Sequence, residues 1–237
     1  MSGKRLAVIS VTVVLLVVAG AAAAVGPWRD AGPTDAAAAA VTTPVQQVAQ
    51  DAMLPARTKG DSSALMTLYE VGDFQCSACR IFFDSTLPQL LDEYVVPGKL
   101  RIVFINFPIY QLHPNAPAAH EFALCAASQD RFWPVHDLLY RNQDRWASLD
   151  DPSAYFFQLA DSARLRADSL AACLASGQMR ALLASEAQGA FNAGIRSTPS
   201  FVLEGSVIRG AAPIDVWRPI LDSVYAAKTG RSNRPRP

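Results

Sequence analysis

Two cysteines separated by two residues, Cys76-Ser77-Ala78-Cys79, are the part of this chain best equipped for chemistry. Thiols at that spacing can close a small-ring disulfide and reopen it by exchange, in which a thiolate attacks a sulfur and a mixed disulfide forms. They stand where a strand-like run, Leu65-Met66-Thr67-Leu68-Tyr69-Glu70-Val71, gives way to a helix-like run beginning Arg80-Ile81-Phe82-Phe83. That junction puts the first sulfur at a helix N-terminus, where unpaired backbone N–H groups and the helix dipole favour a thiolate. On this pattern Cys76 is the attacking thiolate, and Cys79, one turn further in, resolves the mixed disulfide. A zinc site on the same residues needs two more ligands, a second C-x-x-C or a histidine pair, and the chain has none at such spacing. A purely structural disulfide is the weaker alternative, because so small a loop removes little entropy from the unfolded chain.

The elements that must hold this pair can be read from hydrophobic period. A first strand at residues 65–71 leads into a helix that runs to about residue 94, with Phe83, Leu87, Leu90, Leu91 and Tyr94 on its buried face. Pro88 lies inside that helix and is expected to remove one backbone bond and kink it. Residues 100–107 are apolar on both alternating faces, as in a central strand covered on two sides. Helical pattern then fills 116–128, 131–142, 152–161, 168–176 and 178–191. Strands return at 200–203 and 207–209, hinged by Glu204-Gly205, which reads as a hairpin turn. Pro213 opens a last helix with Val216, Trp217, Ile220, Leu221 and Val224 along one stripe. The order is an α/β sheet with a helical insertion, and no internal repeat is visible.

The chain carries 21 basic and 21 acidic residues, so no net field directs it to nucleic acid. Its start sets the compartment. Lys4-Arg5 precede an apolar run from Leu6 to about Val25, long enough to cross a bilayer as a helix, with the charges on the inner side. Ala21 to Ala24 also suit a signal-peptidase cut, so residues 1–25 read as a signal anchor or a signal peptide. Both readings export the rest of the chain. Residues 26–55 read as an Ala/Pro-rich tether, with a short docking helix at about 45–53, and the folded domain as 56–228. The basic, proline-broken end, 229–237, reads as disordered. Export permits disulfides, and once Cys76 and Cys79 are paired, Cys125 and Cys173 remain as a second pair.

Across residues 56–228 this arrangement resembles the thioredoxin superfamily, and within it the exported DsbA-like thiol–disulfide oxidoreductases. Four stretches carry the resemblance. Tyr69-Glu70-Val71-Gly72-Asp73-Phe74-Gln75-Cys76-Ser77-Ala78-Cys79 is similar to the family's strand and active-site approach. Phe107-Pro108 with His113-Pro114-Asn115-Ala116 is similar to the lead into its helical insertion. Gln129-Asp130-Arg131-Phe132-Trp133 with His136-Asp137 is similar to a helix of that insertion, and Ser197-Thr198-Pro199-Ser200-Phe201-Val202 to its cis-proline loop.

The resemblance implies a thioredoxin-like fold with a helical insertion, at about 109–191, between the active-site half and the cis-proline hairpin. It implies that Pro199 follows a cis bond against the active-site sulfurs and that the backbone of Thr198 docks substrate main chain. Related oxidoreductases carry a buried acid six residues before the first cysteine. Glu70 holds that position, as a proton acceptor for Cys79 if buried, or as a surface residue on the strand's polar face. Asp73 reads as a turn or helix-start residue, His113 as a loop hydrogen bonder, His120 and His136 as helix-surface residues, and Phe132 and Trp133 as core.

The chain departs from strongly oxidising members between the cysteines, where Ser77-Ala78 stand instead of Pro-His. The expected function is oxidation of reduced secreted or envelope proteins, outside the cytoplasm, on the periplasmic or envelope face of a membrane that holds the N-terminal helix. The resemblance implies re-oxidation by a DsbB- or VKOR-type quinone-linked membrane partner, with no organic cofactor and no metal. The alternatives are the same exchange run as a reductase or isomerase, or a non-catalytic envelope binding module.

Overall fold

A computed structural model describes residues 53–230. The apolar segment and tether up to residue 52, most of the expected docking helix and the tail from 231 lie outside the described residues.

Five strands form one mixed sheet: β1 (Thr58–Lys59), β2 (Met66–Gly72), β3 (Leu100–Asn106), β4 (Ser200–Leu203) and β5 (Ser206–Arg209), in the order β1-β3-β2-β4-β5. β2 and β3 run parallel, with Glu70 opposite Phe104, and the other pairings are antiparallel. β1 has no counterpart in the sequence reading, because two residues cannot display a period of two. β4 and β5 meet at Glu204-Gly205, both at positive φ, the backbone of a type I′ hairpin turn.

The parallel pair is joined by α1, which starts after Cys76. It runs as Ser77–Ile81, a π turn at Phe82–Thr86, Leu87–Leu90 and a second π turn at Leu91–Val95. Pro88 has no N–H, and its ring crowds the carbonyl four residues back. The wider turn just before it removes that conflict, with Leu87 N–H donating to the Phe82 carbonyl five residues earlier. The expected proline break therefore takes the form of a π turn in a continuing helix.

The insertion comprises α2 (Ala116–Ala127), α3 (Phe132–Arg141), α4 (Gln143–Trp146), α5 (Ser153–Ser162), α6 (Ala167–Ser176) and α7 (Gln178–Asn192); α8 (Ile214–Lys228) is the last helix among the described residues. The sequence reading merged α4 into the connection after α3. Met66, Leu68, Leu100, Ile102 and Phe104 point to the main core with α1, α8 and the insertion. Val71, Val103, Ile105 and Val202 point the other way, onto Ala190 of α7 and Ile195. That double coverage is why residues 100–107 carry no polar face.

Cys125 on α2 and Cys173 on α6 are disulfide-bonded across 48 residues of chain. A loop of that size contributes at most about 4 kcal/mol in the chain-entropy account. Cys125→Ser/Cys173→Ser is expected to lower the thermal midpoint while thiol exchange at moderate temperature survives. Calorimetry beside an exchange assay reads both, and an unchanged midpoint would count against a stabilising role.

Two histidines differ from the sequence reading. His120 and His136 are fully buried rather than on helix surfaces. His136 lies among Phe74, Phe83, Phe104, Phe132, Trp133 and Tyr140. His120 faces the turn that precedes Cys76. In a helical layer packed on both sides, a polar residue in the sequence does not identify the solvent face.

Candidate active site

The approach to the thiols is a turn of four residues, 73–76, fastened from several sides. Asp73 makes it locally: its carbonyl accepts Cys76 N–H at 3.1 Å and its Oδ1 accepts Gln75 N–H at 2.8 Å. The other oxygen, Oδ2, accepts Ile109 N–H at 2.8 Å and His113 Nδ1–H at 2.7 Å. The insertion grips the same turn. Gln143 Nε2 donates to the carbonyls of Phe74 and Cys76 at 2.7 and 3.1 Å. Gln75 Nε2 donates to Ala147, and Gln75 Oε1 accepts Asn115 N–H.

Behind the turn lies a second polar chain, buried throughout. Phe74 N–H donates to His120 Nε2 at 3.4 Å, so the ring proton is on Nδ1, which donates to Asn106 Oδ1 at 2.7 Å. Asn106 Nδ2 donates to Glu186 Oε2 at 2.6 Å, and Glu186 pairs with Arg57 at 2.7 Å. Burial holds His120 near a pKa of about 4, so it stays neutral in this chain. The sequence reading missed Gln75, Asn115, Tyr140, Gln143 and this network. Only Asp73, two residues before Gln75 at Asx-turn spacing, carried a local signal.

Cys76 is 8% exposed and Cys79 fully buried, both as free thiols in this structure. Cys76 Sγ–H donates to the Thr198 carbonyl at 3.5 Å, and the Thr198–Pro199 bond is cis. Residues 122 positions apart thus face each other across the site. A hydrogen bond from the Cys79 thiol, then Thr198 and the Cys79 and Ala78 amides, outweigh burial and lower the Cys76 pKa to about 6. Cys79 moves the opposite way, well above its ordinary value, through burial first and then its neighbour's sulfur. One thiol is ready as a thiolate near neutral pH and the other is kept protonated.

Glu70 is the buried case of its two readings. It lies on the same face of β2 as Leu68, no hydrogen bond reaches either carboxyl oxygen, and burial raises its pKa to about 8. It makes no hydrogen bond to Cys79; Tyr140, fully buried, feels the charges of both. Among the described residues no group of three His, Cys, Asp or Glu converges as metal ligands.

Paired thiols at a helix start face the residue before a cis-proline, on a mixed sheet with a helical insertion, and this arrangement defines a thioredoxin-like fold. The family model described as Thioredoxin matches residues 54–223, and the chain belongs to that family. Over 86 residues the chain is 37% identical to a probable disulfide bond formation protein D from Bacillus cereus, covering 36% of this chain and 40% of that protein. Over 178 residues, 75% of this chain, it is 28% identical to the Na(+)/H(+) antiporter NhaA 1 of Salinispora arenicola, of which it covers 26%. The chain thus spans about two fifths of the first relative and a quarter of the second. The crystal structure of alpha-DsbA1 from Wolbachia pipientis superposes with a TM-score of 0.66 at 19% identity, covering 74% of this chain and 93% of that one.

Proposed function

We propose that the Cys76–Cys79 pair transfers disulfides to reduced proteins outside the cytoplasm. A client thiolate attacks Cys76 Sγ of the oxidised pair. The Cys76–Cys79 bond breaks, and Cys79 leaves with the electron pair and takes up a proton. A second client thiolate then attacks the client sulfur of the mixed disulfide, expelling Cys76 as a thiolate. The client gains one disulfide, the pair gains two electrons, and Glu70 exchanges the proton with Cys79. Thr198 and Pro199 dock the client main chain. A membrane quinone-linked partner of DsbB or VKOR type restores the disulfide, and residues 1–25 place the 56–228 domain on the outer face.

The observation that carries this reading is the contrast between the two thiols. Cys76 has a pKa of about 6 and lies against the Thr198 carbonyl, while buried Cys79 is held protonated. An oxidant is strong when its reduced form is stabilised, here as the Cys76 thiolate. Each pKa unit below the free-thiol value of about 8.5 raises the potential by roughly 30 mV. The couple is therefore expected between about −200 and −120 mV, measured by equilibration against glutathione. A value near −270 mV, that of thioredoxin, would replace the oxidase with the reductase.

A cleft of about 570 Å³, lined by Phe107, Ile109, Tyr110, Phe191 and Arg196, meets the thiol-bearing turn through Ile109, whose N–H donates to Asp73.

A further inference from the structure

We propose that His113, clamped by Asp73, supplies from outside the C-x-x-C the positive charge that stabilises the Cys76 thiolate. The inference rests on the reading of Cys76 as the exchanging nucleophile. Ser77 and Ala78 bring no charge between the cysteines. The nearby guanidinium groups are engaged elsewhere. Arg80 pairs with Asp144 and Asp84, and Arg196 donates to the carbonyls of Phe191 and Ile195 while stacking on the Phe191 ring. The loop after β3 brings the His113 imidazole onto Asp73, in the turn that carries Cys76.

Its tautomer is fixed. Asp73 Oδ1 and Oδ2 each accept a backbone N–H, from Gln75 and Ile109, so the carboxylate acts as acceptor towards His113 as well. His113 therefore carries a proton on Nδ1, and Nε2 is the atom that gains or loses the second one. The main chain beneath the ring is held as well, since His113 N–H donates to the Ile109 carbonyl at 2.9 Å and the His113 carbonyl accepts Ala116 N–H at 3.1 Å. Asp73 is also the residue whose carbonyl receives Cys76 N–H, so clamp and nucleophile share one turn.

The charges facing this ring are those of Asp73 and Cys76. On the far side of Asp73 stand neutral His120 and the Tyr140 hydroxyl, which donates to the Asp73 carbonyl. The Asp73 hydrogen bond, then the Asp73 charge and a Cys76 thiolate raise the His113 pKa against partial burial. Linkage makes the last effect reciprocal, so the imidazolium adds a smaller contribution to the thiolate stabilisation that the Cys79 thiol, Thr198 and the two amides chiefly provide. The protonated ring also cancels the Asp73 charge, which by itself would oppose a thiolate three residues away.

The test is an NMR pH titration of His113 in the full chain, oxidised and reduced. His113 is expected to titrate higher in the reduced form, and equal values in the two forms overturn the proposal. His113→Gln keeps a donor for Asp73 but no charge, and is expected to raise the Cys76 pKa by about 0.5–1 unit, slowing alkylation below pH 6 roughly threefold to tenfold. His113→Lys restores charge and is expected to recover most of that loss. An unchanged Cys76 titration in His113→Gln also overturns the assignment. If His113→Gln does not fold, the wild-type titration decides alone. Client adducts trapped in Cys79→Ser separate the two levels: their persistence confines a failure to His113, and their absence removes the nucleophile reading itself.

Discussion

Cys79→Ser protein is expected to accumulate covalent client adducts, while Cys76→Ser protein forms none. The Cys79→Ser variant retains a thiol at the helix start, against the Thr198 carbonyl, where its amides and the cis-proline loop remain in place. That thiolate attacks disulfides already formed in clients, the reverse of the transfer proposed above, and forms the same mixed species. What it loses is the intramolecular attack that clears the species, an advantage that comes from a second thiol fixed in position rather than diffusing. In Cys76→Ser the remaining thiol is fully buried and its pKa is raised by that burial, so both access and thiolate are missing. Acid-quenched samples on non-reducing gels display the difference as discrete high-mass bands that reductant removes. Bands in Cys76→Ser and none in Cys79→Ser would reverse the order of the cysteines.

Glu70 gives the second large effect, on stability against pH. Its pKa is about 8 in the folded chain and near 4.5 in the unfolded one. Between those values the native protein keeps a proton that the unfolded chain has released. Stability therefore falls as pH rises through this window, at up to about 1.4 kcal/mol per unit, and levels off above pH 8. His120, with its pKa lowered to about 4, acts in the opposite sense, gaining stability as pH rises from 4 towards 6.5. The clean quantity is thus the difference between wild type and Glu70→Gln, in which every other group cancels. An unpaired buried amide costs the same at all pH values, so that difference should turn in favour of the variant by a few kcal/mol from pH 4.5 to 8. Urea unfolding at both ends of the window measures it, and parallel curves would mean that Glu70 is ionised or solvated in the folded state. The same variant tests the proton role we propose, since formation of the mixed disulfide, in which Cys79 leaves and takes up a proton, should slow while its release by a second client thiol does not.

Some of this could be read without coordinates because it depends on neighbours in the chain. The C-x-x-C at a strand-to-helix junction is covalent spacing plus the physics of a helix N-terminus. The hairpin at Glu204-Gly205 is a two-residue turn chemistry, and the double-sided apolar run at 100–107 declares a central strand. Each signal lies within about ten residues, where period and propensity act.

What only the tertiary structure decided lies in contacts between residues far apart in sequence. Glu70 remained two-valued until α1 and the insertion covered its face of β2, leaving its oxygens unpaired. His120 and His136 read as surface residues because helices packed on two sides show no reliable polar stripe, yet both are buried. The Asp73 clamp reaches Ile109 and His113, 36 and 40 residues away, and Cys76 meets Thr198 across 122. A carboxylate's partners are whichever donors the fold brings within about 3 Å, and no local pattern encodes them. The sequence by itself determined that two thiols could exchange disulfides and that Cys76, at the helix start, is the acidic one; the packing decided what holds it so.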